Sequence, residues 1–178
     1  MKQDLKKAVR RYSEIYLPRF VERIRQFCEI PFDRAFEIAT NAREVDGTII
    51  RHVRFLQGKK KKYLKKAVSA LCEIKEQLRK CDNFEELHAL ISSNTNHIPH
   101  IKKVYCYDVA LRIGAANGFL PEKVYVHATK VKKTARELEL VINADETIDF
   151  GTLHLPLKKL KPYEVEDFLC NFEKLKKL

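Results

Sequence analysis

The sequence predicts an all-α fold, organised as a single multi-helix domain. Three observations carry this: apolar residues recur at helical spacing through most of the chain, Pro and Gly fall at the edges of the periodic runs, and 178 residues that are 45% hydrophobic suffice for one core. The domain divides on paper into an N-terminal helical part, 1–92, and a part carrying the distinctive motifs, 97–178. No internal repeat and no linker cuts it further.

Leu5, Ala8, Val9, Tyr12, Ile15 and Tyr16 follow the i, i+3, i+4, i+7 rule, and after the interruption at Pro18 the rule resumes with Phe20, Val21, Ile24, Phe27 and Cys28. Pro31 opens a third helix with Phe32, Ala35, Phe36 and Ala39 on its inner face. Asp46-Gly47 supplies a turn, after which Ile49, Ile50, Val53 and Leu56 predict a fourth helix ended by Gly58. A fifth is expected from the lysine run to about Arg79, burying Leu64, Val68, Leu71, Cys72 and Leu78. Asn83, with Glu86 three residues on, starts a sixth in the manner of a capping box.

Beyond the polar stretch Ser92 to Asn96, a helical run extends from about Val104 to Asn117 and closes at Gly118. Val131, Ala135, Leu138 and Leu140 suggest another helix, whereas 141–161 lacks helical period and reads as a loop or short hairpin. Pro162 begins the last helix, which has acids near its start, lysines near its end, and Val165, Phe168, Leu169, Phe172 and Leu175 on its buried face.

Neither an 18-residue apolar stretch nor an apolar segment behind the N-terminus is present, so no membrane partner and a cytoplasmic location are expected. Five scattered cysteines without a C-x-x-C pair argue against a disulfide framework and a thiolate zinc site, and are read as small core residues. His97 and His100 lie three apart but lack a third ligand at fitting spacing, so neither metal nor cofactor is expected.

The formal charge of +11 biases the chain toward polyanionic partners. It is unevenly spread. Residues 51–66 hold Arg51, Arg54, Lys59, Lys60, Lys61, Lys62, Lys65 and Lys66 with no acid. A second acid-free window, 123–136, holds Lys123, Lys130, Lys132, Lys133 and Arg136, and the stretch 137–173 is acid-rich, nine acids against three lysines. A run of lysines can serve as a phosphate-binding site or simply as a solvated turn, and Tyr63 within it can stack on a base or edge the core.

Three stretches are distinctive: Tyr107-Asp108-Val109-Ala110-Leu111-Arg112-Ile113-Gly114-Ala115, Pro121-Glu122-Lys123-Val124-Tyr125-Val126-His127-Ala128, and Glu166-Asp167-Phe168-Leu169-Cys170. Together they resemble the shared motifs of a family of uncharacterised bacterial proteins, which implies a family without implying a function. The segment Ile98-Pro99-His100-Ile101-Lys102 and the helix behind it resemble the helix-hairpin-helix region of base-excision DNA glycosylases. In that family two hairpin glycines let backbone amides approach a phosphate; here the matching positions are His100 and Lys102. Tyr125 stands where the family has its catalytic Asp, so the resemblance implies DNA binding without glycosylase chemistry. Its phosphate contacts would come from Lys102, Lys103, Lys130, Lys132 and Lys133.

The expectation is therefore non-catalytic binding of nucleic acid, DNA more than RNA, through the two basic windows. Two alternatives stay open. One is an enzyme built around Tyr107, Asp108, Arg112, Tyr125 and His127, although Asp108 and Arg112, spaced i, i+4, most simply form a helix ion pair. The other is a protein-interaction module whose basic patches meet an acidic partner.

Overall fold

The computed structural model describes residues 2–56 and 58–177, with backbone alone at 2, 3, 51 and 52. Among the described residues the chain is helical apart from one two-stranded sheet and an isolated bridge, as the periodicity predicts. Its contacts group it into two units, one made of 1–22 and 121–178, the other of 23–120. The stretch 92–97, where the sequence texture changes, lies inside the second of these.

In the 23–120 unit, helix α2 (Leu17–Cys28), which enters it from the other unit, is followed by α3 (Phe32–Thr40), α4 (Lys61–Glu73), α5 (Lys75–Arg79), α6 (Phe84–Thr95) and α7 (Lys103–Asn117). The centre is α7, where Tyr105 through Ala115 are all buried against α3 and α6. A helix buried around its whole girth belongs in an interior, and the two charged side chains in this stretch, Asp108 and Arg112, are ion-paired there. Gly114 allows close approach there, since a Cβ at that position would sit 2.8 Å from the Phe119 carbonyl oxygen. Gly118, at φ 86°, ends the helix in the left-handed conformation.

Three expectations in this unit need correction. The fourth predicted helix is a 3₁₀ helix, Arg51–Leu56, because Ile49 bridges Arg43 across the Asp46-Gly47 turn and only Ile50, Val53 and Leu56 remain as buried anchors. A spacing of three matches a helix of three residues per turn. The fifth helix is two, divided at Ile74, whose φ of −109° and amide bond to the Leu71 carbonyl break the α pattern. Cys28 and Cys72 are exposed, leaving Cys81, Cys106 and Cys170 as the buried thiols.

The other unit is built around α9 (Pro162–Leu175), against which pack α1 (Lys2–Ile15), α8 (Thr129–Glu137) and strand β1 (Val124–Tyr125). Val165, Phe168, Leu169, Phe172 and Leu175 are buried as predicted. Tyr12 is fully buried edge-on to Phe168, and its hydroxyl donates to Asp167 at 2.9 Å. Arg11 donates to the Leu175 carbonyl, placing a cation at the negative end of the α9 dipole. The irregular segment 141–161 contains strand β2 (Thr147–Ile148), which pairs antiparallel with β1 as Val124 opposite Ile148 and Tyr125 opposite Thr147. Two-residue strands are too short to show alternation, which is why the sequence gives no sign of them.

Candidate nucleic-acid interface

Gly58, at φ 66°, turns the chain into a short 3₁₀ helix, Gly58–Lys60, that runs straight into α4. Leu64, Ala67 and Leu71 face the core, so Lys61, Lys62, Lys65 and Lys66, on the opposite side, are exposed. Positions i, i+1, i+4 and i+5 share one helical face, and the four lysines therefore form a ridge of about 8 Å at 1.5 Å per residue. Lys59 and Arg54 are exposed, whereas the Arg51 side chain lies outside the described residues. None of Arg54, Lys59, Lys60, Lys61, Lys62, Lys65 and Lys66 has an ion-pair partner among the described residues.

Helix α4 begins against its own dipole. Its first turn has no acid and its N-cap, Lys60, makes no side-chain cap, so lysines crowd the positive end of the helix. Helix α6 shows the ordinary arrangement, with Asn83 accepting from the Glu86 amide at 2.8 Å and Glu85 and Glu86 in its first turn. Helix α7 repeats the α4 pattern: Lys102 is its N-cap, Lys103 its first residue, and its first turn holds no acid.

The two starts are brought together by a ring contact. Tyr63, half-buried on α4, lies with its centroid 4.8 Å from that of His100, in the turn leading to α7. His100 takes φ 68°, the left-handed conformation normally left to glycine, in the hairpin between α6 and α7. Lys102 and Lys103 follow His100 by two and three residues, and the ring of Tyr63 is engaged by His100. Lys62 Nζ lies 5.1 Å from the Tyr63 centroid and Lys60 Nζ 5.7 Å from that of Phe55, which is 39% exposed. Phe55 escaped the sequence reading; an apolar residue inside a basic run was the available signal.

The second window, in the other unit, is partly neutralised. Lys132 Nζ is 2.8 Å from Glu146, and the second oxygen of that carboxylate is 3.1 Å from His127 Nδ1. Bonds from Thr147, and then the charge of Lys123, hold the Asp145 carboxyl below its ordinary range. Glu173 is lowered chiefly by its bond to Lys176, with Lys133 adding to the effect. Lys130 and Arg136 are exposed.

The five residues of the enzyme alternative divide between the units. Tyr107, Asp108 and Arg112 lie on α7, whereas Tyr125 and His127 belong to the unit of 1–22 and 121–178, their rings 5.4 Å apart. The expected i, i+4 pair exists, Arg112 Nη1 to Asp108 Oδ1 at 3.4 Å, but Glu44 holds the guanidinium more closely through bonds of 2.6 and 3.0 Å. Burial works against the Arg112 charge, and Glu44 and Asp108 overcome that, leaving its pKa above the ordinary guanidinium value. With Glu44, Asp108 and Arg112 each under 5% exposed, the group is a buried ion cluster enclosed by protein. Glu44 is 68 residues from Arg112, and no local pattern linked them.

Fold and surface define a helical protein in which two helices, α4 and α7, begin with lysines and hold no acid in their first turns. Comparison with family models, curated proteins and solved structures finds no match to this chain. Among the described residues no three His, Cys, Asp or Glu side chains are grouped to hold a metal ion, and no helix is long and apolar enough to cross a membrane.

Proposed function

We propose that the protein binds nucleic acid without catalysis, DNA more than RNA, through phosphate contacts made by Arg54, Lys59, Lys60, Lys61, Lys62, Lys65, Lys66, Lys102 and Lys103. One observation carries this reading: the Tyr63–His100 contact joins two lysine-led helix starts, each without an acid in its first turn. Lysines at the positive end of a helix oppose folding by about 0.3 to 1 kcal/mol each, a cost that a bound anion relieves. The hairpin's likeness to the DNA-binding element of glycosylases supports DNA, and His100, at the position of a family glycine, takes a left-handed conformation that glycine adopts readily. Phe55, exposed beside Lys60, offers a stacking surface for a base.

The test is oligonucleotide binding over a salt series, comparing the native chain with a variant carrying Lys59→Gln, Lys60→Gln, Lys61→Gln and Lys62→Gln. Each lost phosphate contact reduces the slope of log K against log salt by about 0.7 to 0.9, so a decrease of about 3 is expected. Equal affinity and slope for the two proteins would overturn the reading.

A further inference from the structure

The unit of 1–22 and 121–178 holds a groove along one side of α1. Two adjoining depressions, about 500 and 680 Å³, share Lys6, Leu155 and Pro156. Leu5, Leu138 and Leu153 form the first floor, each about 95% buried, with Val9 extending it into the second depression. At the junction stands Leu155, which is 81% exposed, the most exposed large apolar side chain among the described residues.

Its setting is hydrogen-bonded on both sides. Leu153 donates to the Phe150 carbonyl and Leu157 to that of His154, while His154 Nε2 meets the Leu138 carbonyl at 2.8 Å. Lys158 Nζ is turned away to the Gly151 carbonyl. Leu155 is thus held at the surface by the backbone on both sides of it, and its exposure is a property of the folded loop.

The rim has one sign of charge. Lys6, Lys7 and Arg10 line it from α1 and Lys159 from the opposite side, and no acid is among the lining residues. Arg10 is shared with Glu14, its i+4 neighbour, while the three lysines have no ion-pair partner among the described residues. Lys6, Arg10 and Ser13 follow a single ridge of α1, about 10 Å long at 1.5 Å per residue. The depression is therefore elongated and open, apolar within and cationic along its edges.

We propose that this groove docks an acidic amphipathic helix of a partner protein, whose apolar side chains, one helical turn apart, cover Leu155 and the floor while its carboxylates face Lys6, Lys7 and Lys159. Charge complementarity selects this occupant: an apolar stripe flanked by acids matches both the floor and the rim, as helix-in-groove recognition requires. The site shares no residue with the cationic face of α4 and does not depend on nucleic-acid binding.

The experiment titrates the full chain with a synthetic helical peptide carrying Leu on one face and Glu on the others, by calorimetry in moderate salt. Controls are the same peptide with Gln for each Glu, the same with Lys, and phosphatidylglycerol vesicles. Saturable binding of the Glu peptide is expected, at least tenfold tighter than the Gln peptide, with none for the Lys peptide. Leu155→Asp should reduce it at least tenfold; the native exposure of Leu155 makes folding insensitive to that change, and an unchanged helical circular dichroism spectrum verifies this. Lys6→Glu with Lys159→Glu should weaken the Glu peptide and strengthen the Lys peptide. Equal binding of the three peptides, an unaffected Leu155→Asp variant, or Leu155-dependent binding of vesicles but not peptide would each overturn the proposal.

Discussion

In the window 51–66 no described lysine is paired with a carboxylate, whereas in 123–136 Lys132 is held by Glu146 at 2.8 Å and Lys123 and Lys133 lie in the fields of Asp145 and Glu173. On paper the two windows differ only in density, since neither contains an acid. The fold separates them by what it sets against each. The acid-rich stretch 137–173 supplies the counter-charges of the second window, while the first meets the hairpin at 98–103, which lies in another acid-free run, 87–107. A count of local charge says how much cation a segment carries; the fold decides how much of it stays available to an outside anion.

The sharpest way to break this contrast is to move the same change from one window to the other. Replacing Lys59, Lys60, Lys61 and Lys62 by Gln should lower oligonucleotide affinity by about 100-fold near 0.1 M salt, in line with the steep salt dependence of multi-phosphate contacts. Lys123→Gln, Lys130→Gln, Lys132→Gln and Lys133→Gln together should change it less than about threefold, because Lys132 is already paired with Glu146 and Lys123 and Lys133 lie near acids, leaving Lys130 as the one lysine of the four with no acid described beside it. Fluorescence anisotropy at matched salt compares the two sets, and losses of equal size would erase the distinction.

The rings of the first window sharpen it next. Phe55→Leu keeps the apolar contact with the protein and removes the aromatic face. If a base stacks there, affinity for a single strand should fall about fivefold or more, from the roughly 1 to 3 kcal/mol per stacked base, with the salt slope unchanged. Duplex affinity should stay constant. A loss of equal size for duplex and single strand would assign Phe55 to local packing.

Much of the fold was legible because its signals are local. The last helix is announced by Pro162, by its apolar spacing and by the order of its charges, and Asn83 caps α6 as its spacing with Glu86 suggests. What escaped was long-range. The Arg112 pair with Glu44 joins residues 68 apart, and Asp108, four away, was the nearer guess but only the weaker partner. The short strands β1 and β2 have no period, and the 3₁₀ helix at 51–56 shares its apolar spacing with an α-helix over so few residues. For the candidate interface, the lysines could be read one by one, but their junction with Lys102 and Lys103 depends on Tyr63 meeting His100.

A smaller effect comes from unmasking the second window. Glu146→Gln removes the carboxylate shared by Lys132 and His127 and frees a cation for solution. If pairing is what silences this window, oligonucleotide affinity should rise about twofold and the salt slope steepen by less than about 1, the value of a single phosphate contact. A fall in affinity would show that Glu146 serves binding through the local structure instead.

The smallest effect probes the joint itself, which the second window lacks. His100→Ala and His100→Gly both remove the ring from Tyr63, but they differ in backbone freedom at φ 68°. Alanine keeps the left-handed strain and glycine relieves it, so the glycine variant should be the more stable by about 1 kcal/mol in urea unfolding. Their loss of oligonucleotide affinity should nonetheless be the same, because both lose the ring contact that joins the two helix starts. If affinity instead follows stability, recovering in His100→Gly, the hairpin backbone alone sets the spacing of the two lysine-led helix starts and the ring contact is incidental to it.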